Sequence, residues 1–450
     1  MHILYVHQNY PAQFGHIADA LVAKGWRCTF VSQTEPGVVN GVQKFQYRLQ
    51  GGATDRTHFC SRTFENAVWH SDAVYQTARD IHELEPDLIV GHSGFGSTLF
   101  LRELFPRVPV VNLFEFYYRS HDPDSDMDAR RDLGWGATPI HYMRSYARNA
   151  MILLDLQNCQ FGYTPTRFQR SRFPAEYQPK LRTVFDGIDR SIYHGHGDTL
   201  RPPVSTRQTR TVGGVEIHPH HRVVTYVSRG FESMRGFDIF MRAAKIIAEQ
   251  NADVQFLIVG SDKISYGRDT DFVGEHKTFK AWVLAQQPYD LSRFHFLGTL
   301  PQAELAAVLA SSDLHIYLTV PFVLSWSMMN AMSCGAVVLG SSTSPVREMI
   351  REGETGLLAD FYKPEEFAAK ALGALKDPDQ YRPLGRAAEK LVAEKYSLEV
   401  ILPQMIKLYE DAANQSGLGG NIPSPAPITL EDASDLFTTA RPKSRSPFRG

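Results

Sequence analysis

Residues 224–243 read VTYVSRGFESMRGFDIFMRA. A run of strand-forming residues ends at Ser228, Arg229 and Arg235 bracket a short loop, and from Phe237 apolar residues recur at helical spacing. A strand that passes through a loop straight into a helix is half of a β-α-β unit. The pattern then repeats downstream. Val254–Val259 is a second strand that stops at Gly260-Ser261-Asp262, followed by a helix around 276–287 and a strand at Phe294–Leu297. A helix over 301–311, a strand at Leu314–Leu318, a helix over 325–333, a strand at Val337–Leu339 and a helix over 345–351 complete the series.

The same alternation occupies the first part of the chain. Ile3–Val6 is continuously apolar, as expected of a parallel strand covered on both faces. After the loop His7–Pro11, residues Phe14, Ile17, Ala18, Leu21 and Val22 trace one helix face, and Gly25 ends the helix before a strand at Cys28–Val31. A helix over 72–84, a strand at 88–90, a helix over 97–105 and a strand at Val108–Leu113 follow. The fold class is therefore α/β, with two Rossmann-like doubly wound domains facing a cleft. The junction falls near Asp186-Gly187-Ile188-Asp189, giving domains at 1–188 and 189–396. The stretch 195–222, rich in Pro, Gly, Thr and His, reads as a mobile insertion. Residues 415–450 have the Pro, Ser and Gly content of a disordered tail, with a basic end (ARPKSRSPFRG).

Composition removes several function classes. The 450 residues are 43% hydrophobic and 21% charged, and 47 basic against 49 acidic side chains leave a net charge of −2. Bulk charge therefore does not drive nucleic-acid binding. The four cysteines are far apart and form no C-x-x-C pair, which argues against a disulfide scaffold or a structural zinc. The opening MHILYVHQNYPAQ is too short in apolar residues for a signal peptide, and no run of about 18 apolar residues occurs. The expectation is a cytoplasmic protein, with peripheral membrane contact left open.

Ligands of doubly wound sheets bind beyond the carboxyl ends of the strands, so the loops there carry the chemistry. Arg229 and Arg235, with Ser228 and Gly260 at neighbouring strand ends, form an anion trap beside a helix N-terminus. The plainer alternative is two surface arginines at a loop. In PFVLSWSMMNAMSCGAVVLGSS the first turn of a helix carries Ser325 and Ser327, whose hydroxyls and free N–H groups suit a diphosphate, and Asn330 suits a ribose. Ser325 alternatively acts as a helix cap, and Met328, Met329 and Met332 read as core. In the first half, Gly15, Glu115 (in PVVNLFEFYYRSHD) and His92 (in IVGHSGFG) lie after strands.

These segments, in this order, resemble retaining glycosyltransferases of the GT-B fold, specifically glycosyltransferase family 4, over nearly the whole length to about residue 411. Arg229 and Arg235-Gly236 stand where that family has an Arg and a Lys-Gly pair for the donor diphosphate. DGID at 186–189 resembles its Asn-Gly-Val-Asp turn, and NAMSCGAVVLGSS resembles its Glu-Ala-Met-Ala-Cys-Gly-x-Pro-Val segment. The family's two glutamates, separated by seven residues, are replaced by Phe322 and Asn330, and Glu115 stands where relatives often have a histidine. The resemblance implies a nucleoside diphosphate sugar donor, UDP- or GDP-linked, an acceptor hydroxyl, no metal and no other cofactor. It also implies a helix over 397–414 that crosses back to the N-terminal domain. Catalytic roles fall to Arg229, Arg235, Glu115 and His92; donor contacts fall to Gly15, Ser228, Gly260, Ser325, Ser327 and Asn330. A catalytically silent sugar-nucleotide-binding protein is the alternative that the missing glutamates raise, and a sugar-nucleotide epimerase ranks below it. Asp122, Asp124, Asp126 and Asp128 alternate like part of a calcium loop but lack its glycine and closing glutamate. His218, His220 and His221 read as part of a flexible loop.

Overall fold

The computed structural model describes residues 1–121, 138–265, 267, 269–271 and 273–416. The aspartates at 122–128 and the tail from 417 lie outside the described residues. In the first half, eight strands form one sheet: β1 (His2–Val6), β2 (Arg27–Ser32), β3 (Gly37–Val39), β4 (Val42–Gln46), β5 (Leu88–His92), β6 (Val110–Leu113), β7 (Phe161–Thr164) and β8 (Leu181–Thr183). Their order is β3-β4-β2-β1-β5-β6-β7-β8, parallel throughout except for the β3–β4 pair. The short hairpin β9 (Arg210–Val212) and β10 (Val215–Ile217) precedes the second sheet. That sheet is wholly parallel: β11 (Arg222–Gly230), β12 (Val254–Ser261), β13 (Phe294–Gly298), β14 (Leu314–Tyr317), β15 (Val338–Ser341) and β16 (Leu357–Ala359), in the order β13-β12-β11-β14-β15-β16.

Strand order reverses between β1 and β5 in the first sheet and between β11 and β14 in the second. The loops leaving these four strands open the crevices in which such sheets take ligands. They hold residues 7–14, 93–97, 231–236 and 318–325.

Two chain crossings tie the halves together side by side. Ile188 donates its N–H to Tyr396 O (2.8 Å) and accepts from Leu398 N–H (2.8 Å). The final helix, Leu398–Ser416, then lies on the first sheet. Met405, Leu408, Tyr409 and Ala412 are buried there, and the Tyr409 ring meets Tyr5 edge-on at 6.5 Å.

Three sequence expectations change. The stretch 195–222 is not a loose insertion. Arg201 donates to Ser312 O (2.8 Å) and Gly335 O (2.7 Å), carbonyls just past two helix C-termini, where backbone acceptors lack intrahelical donors. Arg207 meets Asp313 through both guanidinium nitrogens (2.5 and 3.0 Å) with both side chains fully buried. Arginine anchors thus hold a segment whose Pro and Gly content suggested mobility. Second, the helix expected over 72–84 runs from Arg62 to Asp80, with a buried face of small residues (Ser71, Ala73, Val74 and Ala78) that gives a weak apolar signal. Third, the helix expected over 97–105 is a single turn, Leu101–Leu104. The rings of His218, His220 and His221 cluster with centroids 4.4–5.8 Å apart, His218 stacked on His220 and His221 set edge-on to His220. Among the described residues no group of His, Cys, Asp or Glu could hold a metal ion, and no helix is long and apolar enough to cross a membrane. All four cysteines are unpaired.

Candidate active site

On the first half, β5 ends at His92 and the chain doubles back through Ser93-Gly94-Phe95-Gly96, with His92 and Gly96 bridged. Gly96 has to be glycine, because a Cβ there would lie 1.9 Å from Val6 O. This close approach sets the His92 ring 5.2 Å from that of His7, which follows β1. Neither ring nitrogen of His92 has a hydrogen-bond partner, and its side chain is 1% exposed. Burial drives the His92 pKa well below 6.5 and that of His7 to about 4, so both are neutral at physiological pH.

Glu115 follows β6. One carboxylate oxygen accepts from Gln13 Nε2 (2.9 Å), the other lies 3.7 Å from His92 Nε2, and its backbone carbonyl accepts from Gln169 Nε2 (2.7 Å). Burial and the nearby Asp186 raise its pKa to about 7, partly opposed by the Gln13 hydrogen bond and by Arg235 and Arg229. Both arginines of the second half thus bear electrostatically on Glu115 of the first. Arg229 also acts on His7.

On the second half the two arginines differ. Arg229 is exposed at the end of β11. Arg235 is buried: its Nη1 donates to Thr319 Oγ1 (2.8 Å) and Val323 O (2.9 Å) and reaches Tyr317 Oη (3.4 Å). The plainer alternative of two surface arginines therefore does not hold for Arg235, which braces the loop after β14. Gly236 follows at φ +62, where a Cβ would meet Leu318 Cβ at 2.7 Å, and the helix Phe237–Gln250 starts from it. Ser228 is buried and its hydroxyl donates to Gly230 O (2.7 Å), so it shapes the turn. Gly260 sits at φ +151 with room for no Cβ, which would lie 2.2 Å from Ser228 O.

After β14, Phe322 is buried against Phe116, ring centroids 4.7 Å apart. Ser325 caps the helix Trp326–Ser333, accepting from Ser327 N–H and bonded to Ser327 Oγ (3.0 Å). Asn330 is buried one turn in. Gly15 opens the helix Gly15–Ala23 opposite, where a Cβ would strike Pro11 Cβ at 2.2 Å.

Other participants are given no role from the sequence. Trp326 Nε1 donates across the halves to Asp186 Oδ2 (2.7 Å), and His16 Nε2 is 2.6 Å from Asp186 O. Burial raises Asp186 to about 6, against the pull of the Trp326 hydrogen bond. Glu348 of the second half accepts from the N–H groups of Arg167 and Phe168 (both 2.8 Å), the first turn of a helix in the first half. Beside Glu115 opens a cavity of about 410 Å3, lined by residues of both halves that include Asn66, His70, Tyr118, Arg148 and Phe322.

Residues 24–192 match the family described as Glycosyl transferase family 4 group, and residues 214–391 match Glycosyl transferases group 1. Among curated relatives, the chain is 26% identical to N-acetyl-alpha-D-glucosaminyl L-malate synthase of Bacillus anthracis, over 51% of this chain and 54% of that protein. It is also 26% identical to D-inositol 3-phosphate glycosyltransferase of Corynebacterium glutamicum, over 54% of each. The chain spans about half the length of the curated relatives it matches. Among solved structures, sucrose-phosphate synthase from Thermosynechococcus elongatus aligns over 91% of this chain and 98% of its own, with TM-score 0.67 and 16% identity. Anabaena Alr3699/HepE in complex with UDP-glucose aligns over 91% and 100%, with TM-score 0.63 and 16% identity. These two likenesses concern the fold, which is GT-B. The first half of the chain thus carries a domain of the Glycosyl transferase family 4 group and the second half a domain of the Glycosyl transferases group 1.

Proposed function

We propose that the protein is a retaining glycosyltransferase that moves a sugar from a nucleoside diphosphate sugar to an acceptor hydroxyl. The carrying observation is that the strand-end loops of the two halves meet at one crevice: Phe322 after β14 packs on Phe116 next to Glu115, and Arg229 bears electrostatically on both Glu115 and His7. In support, Anabaena Alr3699/HepE, of the same fold, was solved with UDP-glucose. In the reaction the bond from the sugar's anomeric carbon to the diphosphate breaks, and a bond to the acceptor oxygen forms on the same face. The acceptor's proton passes to the leaving diphosphate. Arg229 stabilises charge growing on that diphosphate, while Arg235 holds the loop that carries Ser325 and the helix N-terminus, whose N–H groups point at the same charge. Glu115 and His92, on the opposite wall, orient the acceptor hydroxyl. The proposed donor contacts are Gly15, Ser228, Gly260, Ser325, Ser327 and Asn330, with the three small or turn-forming positions letting backbone approach the phosphates.

One observation favours a second reading, a sugar-nucleotide-binding protein without turnover: Phe322, packed on Phe116, offers no polar atom where family 4 has a glutamate. Incubation with UDP-, GDP- and ADP-sugars separates the two. A transferase releases nucleoside diphosphate and yields an axial or equatorial linkage matching the donor. Thermal stabilisation by the nucleotide with no release from any donor, in the presence of a broad acceptor panel, supports the silent reading.

A further inference from the structure

The cavity beside Glu115 differs in chemistry at its two ends. Its walls are aromatic, with Phe64, Phe95, Phe116 and Phe322 among them, and such walls suit the C–H faces of a polyol. Among the described residues one permanent cation lines it, Arg148. The central carbon of the Arg148 guanidinium sits over the Tyr118 ring, 3.7 Å from its centroid. The cation–π contact holds the guanidinium at the ring, and its N–H fork is a donor set that matches a carboxylate or phosphate. Among the described residues no carboxylate pairs with it. His70, also on the wall, is held neutral-leaning by burial and is engaged by Gln8 Nε2 (3.3 Å) and Tyr47 Oη (2.8 Å), so it adds no second charge.

Tyr118, which carries the arginine, is three residues beyond Glu115 on the same loop. Three residues of extended chain span about 10 Å at most. The anion-binding end and the hydroxyl-orienting end are therefore one small molecule apart.

We propose that this cavity selects an acceptor bearing an oxyanion, a carboxylate or a phosphate, which Arg148 grips while the acceptor hydroxyl is presented at Glu115. The inference rests on the glycosyltransferase reading for the word acceptor, and its test uses binding so that the two fail separately. Calorimetric titration compares sorbitol, sorbitol 6-phosphate and gluconate, which share a six-carbon polyol body and differ in the anion. At least one anion should bind at least tenfold more tightly than sorbitol, and which one does identifies the group. Arg148→Gln, which keeps the stem over Tyr118 but loses the charge, should lower that affinity at least tenfold with an unchanged melting temperature. Arg148→Lys, which keeps the charge and loses the fork, should fall between. Sorbitol binding as tightly as both anions, no binding by any of the three, or unaltered anion binding by Arg148→Gln overturns the proposal. UDP and GDP titrated in parallel test the donor side, so lost nucleotide binding with retained anion binding strikes the proposed function and leaves this inference standing.

Discussion

Arg229 and Arg235 look alike in sequence and lie six positions apart, yet the structure gives them different work. Arg229→Ala should remove about 2–4 kcal/mol of transition-state stabilisation, the loss typical of one preorganised donor, at an unchanged melting temperature. Arg235→Ala should lose activity and also about 1–3 kcal/mol of folding stability, because Val323 O and Thr319 Oγ1 lose their buried donor. Steady-state kinetics with urea unfolding on both variants checks the split; equal stability in the two would refute the bracing role. A buried carboxyl outside the crevice gives a second expectation. Asp155 accepts from Ser93 Oγ (2.7 Å), its other oxygen has no partner, and burial raises its pKa from 3.8 to about 7. Between about pH 4 and 7 the native state keeps a proton that the unfolded chain has released, so this group's contribution to stability falls as pH rises through that window. Asp155→Asn should therefore gain stability relative to wild type at pH 8 compared with pH 5. At about 1.4 kcal/mol per unit of pKa, the difference amounts to a few kcal/mol at most. Equal offsets in urea unfolding at the two pH values would count against it. Legibility at this scale follows sequence distance. Arg229, Ser325 and Glu115 could be picked out from local pattern, because Arg229 lies at the end of β11, Glu115 two residues beyond β6, and Ser325 at the start of a helix. The partners that define their states could not: Gln13 is 102 residues from Glu115, and Asp313 is 106 from Arg207.

At the scale of elements, the strands were legible wherever burial on both faces produced a continuous apolar run, as in β1 and β11. Those are also the strands that set the switch points. Elements with a small-residue face escaped in part, as the early start of the helix Arg62–Asp80 shows. Helix starts carry a testable signal of their own. Ser325 is the cap of the helix Trp326–Ser333, with its backbone N–H bonded to Tyr317 Oη (3.0 Å). Ser325→Ala should cost about 1 kcal/mol of stability through the lost cap. It should also raise donor KM if the same helix N-terminus receives the diphosphate. A stability loss with unchanged KM would make Ser325 a cap and nothing more.

At the scale of the molecule, specific polar links join the halves beside the Phe116–Phe322 contact. Trp326 bonds the carboxyl of Asp186, and Glu348 caps a helix of the opposite half. Trp326→Phe combined with Glu348→Gln should loosen the pair and raise the radius of gyration measured by X-ray scattering without nucleotide. Saturating nucleotide should restore the compact value; an unchanged radius in the double variant would mean the hinge itself sets the angle. Sequence could announce two halves, since the alternation restarts near residue 222. It could not announce these links, because nothing near Trp326 or Glu348 marks them as reaching across.

The last helix carries a consequence for how the protein is made. Tyr5 and its neighbours on the first sheet are covered by Tyr409, Met405 and Leu408, which leave the ribosome some 220 residues after β8. At about 5–20 residues per second, the first half waits roughly 10–45 seconds with an apolar sheet face open. During that interval a nascent chain is exposed to chaperones and to its neighbours on the same message, and translation speed through residues 184–409 becomes a determinant of yield.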